Sequence, residues 1–174
     1  MKNVFLETER LSLRYITKDD FEELKIILKD KDVMYAWEYN FTDNDVQEWI
    51  NKNLECYKKY NLGFFIISEN KSGNVIGQAA LEPDTIEGKP YYEIGYILKK
   101  EYQHKGYATE AANALKKYAF DTLKLNEVIF EIRPNNLPSR KVAESLGAKI
   151  YGEFIKNVRN KKMTHLIYKL YKSN

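Results

Sequence analysis

Tyr91-Tyr92-Glu93-Ile94-Gly95-Tyr96-Ile97-Leu98, followed after residues 99–102 by Gln103-His104-Lys105-Gly106-Tyr107-Ala108-Thr109-Glu110, is the stretch that decides the fold. The first run reads as a strand, the second as a short loop that opens directly into a helix. Gly106 allows close approach of a ligand to the backbone, and Ala108 leaves little side chain in the way. The free N–H groups of a first helical turn, together with the helix dipole, suit a phosphate or pyrophosphate. Lys105 adds a charge at the rim. On spacing alone a tight turn that binds nothing remains open. One glycine is a weak signal, and the dinucleotide fingerprint and P-loop both need more.

Outward from this stretch, the helix starting near Gly106 carries Ala108, Ala111, Ala112, Leu115, Tyr118 and Ala119 on one side. A strand at 127–132 follows, so a strand-helix-strand crossover makes the two strands parallel neighbours. After Arg133-Pro134-Asn135-Asn136, Pro138 suits the first turn of another helix and Gly147 its end. Closing strands are expected at 149–155 and 162–170, with Lys161 and Lys162 in the turn between them. Upstream, the alternation of Leu11, Leu13 and Tyr15 marks a first strand. Thr17 with Asp20 and Thr42 with Asp45 have capping-box spacing for two helices. Their apolar stripes are Phe21, Leu24, Ile27, Leu28 and then Val46, Trp49, Ile50, Leu54, Tyr57. Runs at 64–68 and 75–81 flank Ser72-Gly73-Asn74, a hairpin signal. The order β-α-α-β-β-β-α-β-α-β-β is mixed α/β: a mostly antiparallel sheet of about seven strands with about four helices.

The chain has 174 residues, with 28 Lys or Arg against 25 Asp or Glu, a net charge of +3. Fourteen Tyr, 8 Phe and 2 Trp make aromatics 14%, which excludes a disordered chain. The near balance of charge argues against direct nucleic-acid binding. The ten residues from Ser72 to Leu81 are the longest stretch free of charge, so no membrane span is expected. The early apolar run ends at Glu7, too short for a secretory segment. One cysteine, Cys56, forms no internal disulfide, and no metal-ligand cluster is apparent. A single cytoplasmic domain over 1–174, without a metal, is the expectation.

Gln103-x-x-Gly106-x-Ala108 resembles the Q/R-x-x-G-x-G/A signature of the GNAT acetyltransferase superfamily. Leu6-Glu7-Thr8-Glu9-Arg10-Leu11-Ser12-Leu13-Arg14 resembles the start of its RimJ/RimL-like branch, the ribosomal-protein N-acetyltransferases. So do Asn136-Leu137-Pro138-Ser139 and Val142-Ala143-Glu144-Ser145-Leu146-Gly147-Ala148. The pieces stand in the family's order and span essentially the whole chain. The resemblance implies a GNAT-like fold and direct acetyl transfer from acetyl-CoA to a primary amine, without an acyl-enzyme. The acceptor is a protein N-terminal α-amino group or a small-molecule amine, and the state monomer or homodimer. It places the coenzyme's arm at Gly95, Tyr96, Ile97 and Leu98, where an N–H faces the thioester oxyanion. The pyrophosphate falls at Gln103, His104, Lys105, Gly106, Tyr107 and Ala108, with Thr109 just beyond. Asn136 and Ser139 match residues near the sulfur. The alternative is a non-catalytic acyl-CoA-binding or regulatory module.

An alkyl amine is protonated near neutral pH, so attack on a thioester needs a base. Glu93, on the strand leading into the coenzyme segment, is the first candidate; an exposed strand glutamate beside Lys99 and Lys100 is the alternative. Glu38 beside Trp37 is a second group that could read the amine. The loops around Trp37 and 84–89 are expected to line the acceptor side. Many family members carry an acidic Tyr seven residues after the motif Asn, which here is Ala143, so the acid passes to Ser139, with Asn136. Cys56 reads as packing and His104 as an exposed loop residue. Tyr91, Tyr92, Tyr96, Tyr102 and Tyr107 are expected to wall the cleft.

Overall fold

Alternation along the strands decides which face each one buries, and here the sheet is covered on both sides. The computed structural model describes residues 3–173; Met1, Lys2 and Asn174, the outermost residues of the expected domain, lie outside the described residues. The elements are β1 (Val4–Glu7), β2 (Leu11–Tyr15), α1 (Phe21–Leu28), α2 (Asp43–Tyr60), β3 (Gly63–Glu69) and β4 (Val75–Ile86). Then come β5 (Lys89–Leu98), α3 (Tyr107–Lys117), β6 (Glu127–Ile132), α4 (Leu137–Ser145), β7 (Lys149–Val158) and β8 (Lys161–Tyr171). Among the described residues they form an eight-stranded sheet in the order β1-β2-β3-β4-β5-β6-β8-β7. Every neighbouring pair is antiparallel except β5 and β6, which run parallel across the α3 crossover. No helix of the described residues is long and apolar enough to cross a membrane.

Leu11, Leu13, Phe65, Ile94 and Leu98 turn to one face, where Ala111, Ala112, Leu115 and Ala143 of α3 and α4 cover them. Ile66 and Ile97 turn to the other, against Leu24, Ile27, Val46 and Ile50 of α1 and α2. Burying residues of this size is worth about 1.5–3 kcal/mol each, the main drive for this three-layer arrangement. Both capping boxes form. In the second, the Asp45 carboxylate accepts from Thr42 N–H at 2.7 Å and Thr42 Oγ1 accepts from Asp45 N–H at 3.2 Å.

In the first capping box, Asp20 accepts from Thr17 N–H at 2.8 Å. Asp20 is also held by both terminal nitrogens of Arg14, at 2.9 and 2.7 Å, in a site where it is 1% exposed. Burial alone would raise the Asp20 pKa. The bonds from Arg14 and Thr17 outweigh it and lower the pKa to about 2. A carboxyl depressed in the fold contributes stability that is present above its unfolded pKa and lost as pH falls through the folded one. About 2 kcal/mol should therefore disappear between roughly pH 4 and pH 2. Thermal melts across that window should show the loss in the native chain, and Asp20→Asn should lack that component.

Three expectations are corrected. A further strand, β1, precedes the first expected one, and pairs with β2 through a turn closed by Thr8 N–H to Leu11 O at 2.8 Å. Residues 84–89 are not a loop: β4 runs to Ile86 and meets β5 in a tight hairpin, with Glu87 and Gly88 at φ of 49° and 78°. The two positive values are those of a mirror-image turn, which matches strand twist. Lys161 and Lys162 likewise start β8, and the turn is Arg159-Asn160, at φ of 50° and 64°.

Candidate active site

The site begins where β5 and β6 part. Their parallel ladder consists of one pair, Glu93 opposite Ile129. Beyond it, Gly95, Tyr96, Ile97 and Leu98 remain paired to β4, opposite Ala80, Ala79, Gln78 and Gly77. The side of β5 toward β6 then presents backbone N–H and C=O groups without a ladder, a polar edge ready for an extended ligand. Glycine at position 77 permits the close approach on the β4 side, since a Cβ there would fall 2.2 Å from Ile97 O.

At the end of β5 the chain turns into the loop. The Gln103 side-chain amide donates to Leu98 O at 3.1 Å, tying loop to strand. His104 and Gly106 take left-handed φ values of 60° and 80°, and His104, Lys105 and Gly106 are exposed. The hydrogen bond from Glu110 N–H to Gly106 O, at 3.0 Å, sits at the start of α3, so the amides of Tyr107, Ala108 and Thr109 lie ahead of it without an acceptor inside the helix. Arg10 clamps this loop from the first hairpin. Its Nη1 donates to Lys105 O at 3.0 Å, its Nε meets Glu110 Oε2 at 2.6 Å, and its guanidinium lies 4.5 Å from the Tyr107 ring centroid. Thr8 Oγ1 adds a bond to Glu110 Oε1 at 2.6 Å, and the Tyr107 hydroxyl bonds to Glu69. A turn whose amides lack acceptors inside the helix, held by Arg10 at a helix N-terminus, fits a pyrophosphate in charge and in hydrogen-bonding capacity.

Across the opening, α4 brings Asn136 and Ser139. Asn136 caps the helix, its Oδ1 accepting from Ser139 N–H at 3.3 Å and from the Tyr35 hydroxyl at 2.9 Å. The Tyr96 hydroxyl donates to Ser139 O at 2.7 Å and lies 3.2 Å from Ser139 Oγ. Burial pushes the Tyr96 phenol up, against the effect of its bonds to Ser139 and the Ala143 backbone.

Glu93 points to the opposite face of β5, at an open cleft of about 490 Å³ lined by Lys52, Cys56, Tyr60, Glu82, Asp84 and Lys156 among others. Oxygens of Asp84, Glu93 and Glu131 lie within 4.8 Å of one another. Burial first, then the charges of Glu131 and Glu82, hold the Glu93 carboxyl well above the usual range; Lys156 works against this. Burial and the Asp84 contact push Glu131 up to about 7, although Lys156 Nζ bonds its Oε2 at 2.9 Å. The exposed-strand alternative for Glu93 is thereby removed, because its partners are acidic groups of β4 and β6 rather than Lys99 and Lys100. Lys99 pairs with Glu23 and Lys100 with Asp32.

Tyr96 is thus joined to Ser139 and Asn136, while Glu93 stands on the other side of the strand. Glu38 does not remain free for an amine: its carboxylate meets Arg133 at 2.6 Å and Lys161 at 3.2 Å. The Lys161 and Arg133 contacts hold its pKa down against the opposing effect of burial. The five tyrosines form no single wall. Tyr92, Tyr96 and Tyr102 pack on the α3/α4 core and Tyr91 against Ile86 and Ile129, while Tyr107 serves the loop. Cys56 is half-buried, and burial, then Glu82, raises its thiol pKa. Sequence reasoning missed Arg10, Tyr35, Glu82, Glu131 and Lys156, whereas Asp84 belongs to the segment expected on the acceptor side. Parity along β5 was the one available signal for the Tyr96 side chain.

Residues 10–149 match the family model described as the acetyltransferase (GNAT) domain. An N-acetyltransferase of Bacillus subtilis (strain 168), YnaD, is 32% identical over 152 residues, 87% of this chain and 86% of that protein. The crystal structure of a GNAT-family acetyltransferase from Bacillus anthracis is 30% identical, with a TM-score of 0.79 over 96% of this chain and 98% of that one. RimL, a ribosomal L7/L12 α-N-protein acetyltransferase solved in complex with coenzyme A, shares the fold at 15% identity, with a TM-score of 0.79 over 97% and 98% of the two chains. The diverging strands, the amide loop and these likenesses together place the chain in the GNAT family of acetyltransferases, acyl-transferring enzymes whose fold binds acetyl-CoA.

Proposed function

We propose that the chain, acting as one catalytic domain, transfers acetyl from acetyl-CoA to a primary amine by direct attack in a ternary complex. The observation that carries this reading is the single-pair β5–β6 ladder at Glu93, which leaves Gly95 to Leu98 without a partner on the β6 side before the chain turns into the loop. The arm of the coenzyme lies along Gly95, Tyr96, Ile97 and Leu98, with a backbone N–H facing the thioester oxygen. Gln103, His104, Lys105, Gly106, Tyr107 and Ala108 hold the pyrophosphate, largely through backbone, since the Tyr107 side chain is committed to Glu69 and Arg10. Thr109 supplies the next amide.

Glu93 takes the amine's proton, its raised pKa bringing it closer to the working pH than an ordinary carboxylate. Ser139, placed by Asn136, protonates the departing sulfur. The carboxylates of Glu82 and Asp84 beside Glu93 suit a cationic acceptor, either a small amine or a protein N-terminus.

Calorimetric titration with acetyl-CoA and thiol release over a panel of amines and peptide N-termini test the reading. Binding in the micromolar range is expected. Release should require an added amine, without a burst in its absence. Coenzyme binding without turnover on any amine would overturn it. Cys56→Ala should keep turnover within about twofold, because a protonated thiol is no nucleophile.

A further inference from the structure

Ala143 leaves vacant the position where the resembled family places its phenolic acid, and the structure puts another phenol against the same helix. Ala143 is fully buried in the core cluster against which the Tyr96 ring packs from β5. That ring packs 6.4 Å from Phe130, so it is braced from β6 as well. Its hydroxyl donates to the Ser139 carbonyl at 2.7 Å and accepts from Ser139 Oγ at 3.2 Å. Rotation about the two C–O bonds reverses the second bond, turning the Oγ proton outward and the phenolic proton onto Oγ. Ser139 itself is fixed at the third position of α4 by the Asn136 cap.

We propose that Tyr96 is the positioning residue for the leaving-group acid, holding Ser139 Oγ and replacing the proton that Ser139 passes to sulfur. The proposal rests on the acetyl-transfer reading and on Ser139 as its acid. As the amine nitrogen bonds to the acetyl carbon, the C–S bond breaks and its electron pair goes to sulfur. The Ser139 Oγ proton moves to that sulfur, and the Tyr96 proton follows onto Oγ. The proton given up by the attacking nitrogen, carried by the base and solvent, restores the phenol. The sum is amine plus thioester giving amide plus thiol. A phenol raised in pKa by burial keeps its proton until the sulfur arrives.

Tyr96→Phe should lower kcat by about tenfold or more while KM for acetyl-CoA stays within about twofold. In a cycle with Ser139→Ala, the double variant should be no slower than Ser139→Ala alone, because both act on one proton path. Native kcat in Tyr96→Phe, or losses that multiply, overturn the proposal. Should Tyr96→Phe fail to fold, single-turnover rates of the native chain in H₂O/D₂O mixtures decide. A curved dependence on deuterium fraction supports two moving protons, and a straight line overturns the relay. A native chain that turns over no amine sinks the acetyl-transfer reading and this one with it. Turnover unaffected by Ser139→Ala sinks the acid and the relay, but leaves acetyl transfer standing.

Discussion

Gly106→Val is expected to weaken acetyl-CoA binding by about 100-fold or more while leaving the fold intact. At φ of 80° the backbone is in the left-handed region, where a β-branched residue is strained. The added Cβ would sit 3.4 Å from Arg10 Nη2, in contact with the clamp, so the backbone strain rather than a clash carries the effect. The loop must rotate out of its present turn, and the amides on either side lose their common direction. A hydrogen bond to a charged group is worth about 1.5–3 kcal/mol, so two lost amide–phosphate bonds account for at least that drop. Gly73→Val is the control, at φ of 71° in a turn with nothing within 4 Å of its Cβ. Both variants should melt lower by a similar amount, but Gly106→Val alone should lose affinity in calorimetric titration. Equal affinities in the two variants would remove the loop as the pyrophosphate cradle.

Glu93→Gln is expected to lower kcat by about 100-fold and to raise stability. The native carboxyl acts as a base only once ionised, so kcat should climb with pH through its raised pKa; the amide should abolish that limb. The stability effect has the opposite sign. A carboxyl whose pKa is raised in the fold binds protons more tightly there than in the unfolded chain. Stability therefore falls as pH rises from the ordinary carboxylate range toward the raised value. At pH 8 the glutamine variant should melt above the native chain, although it turns over more slowly. Coenzyme affinity should not change, since Glu93 lies on the far side of β5 from Tyr96 and α4. An unaltered pH profile would exclude Glu93 as the base.

Local rules made much of the architecture legible. Thr17/Asp20 and Thr42/Asp45 carry their helix starts in neighbouring residues, and the alternation of Leu11, Leu13 and Tyr15 carries a strand. Gly106 drew attention to the loop before α3 because a residue without Cβ lets a ligand approach the backbone closely. Val4–Glu7 escaped notice because four residues are too few to establish a period. Residues 84–89 read as a loop, yet Asp84, Thr85 and Ile86 pair with Tyr91, Pro90 and Lys89 of β5. The partners of the site were hidden for a different reason. Arg10 and Glu110 are 100 positions apart, and Glu93 meets Glu82 and Glu131 only through strand register. Glu38 looked available because its cations, Arg133 and Lys161, lie on the far half of the chain. Such pairings are made by topology, which no short window of residues contains.

The strand order β6-β8-β7 has a consequence for how the chain is made. On the ribosome, β6 emerges before β8, the strand that will cover it. β7 comes out in between, but it pairs with β8 and has no ladder of its own with β6. Until Lys161–Tyr171 clears the exit tunnel, β6 is the open rim of a growing sheet, with bare N–H and C=O groups. The last strand thus slides into a slot between two waiting neighbours. A ribosome stalled near the Arg159-Asn160 turn would hold a chain complete through α4 yet prone to edge-to-edge association.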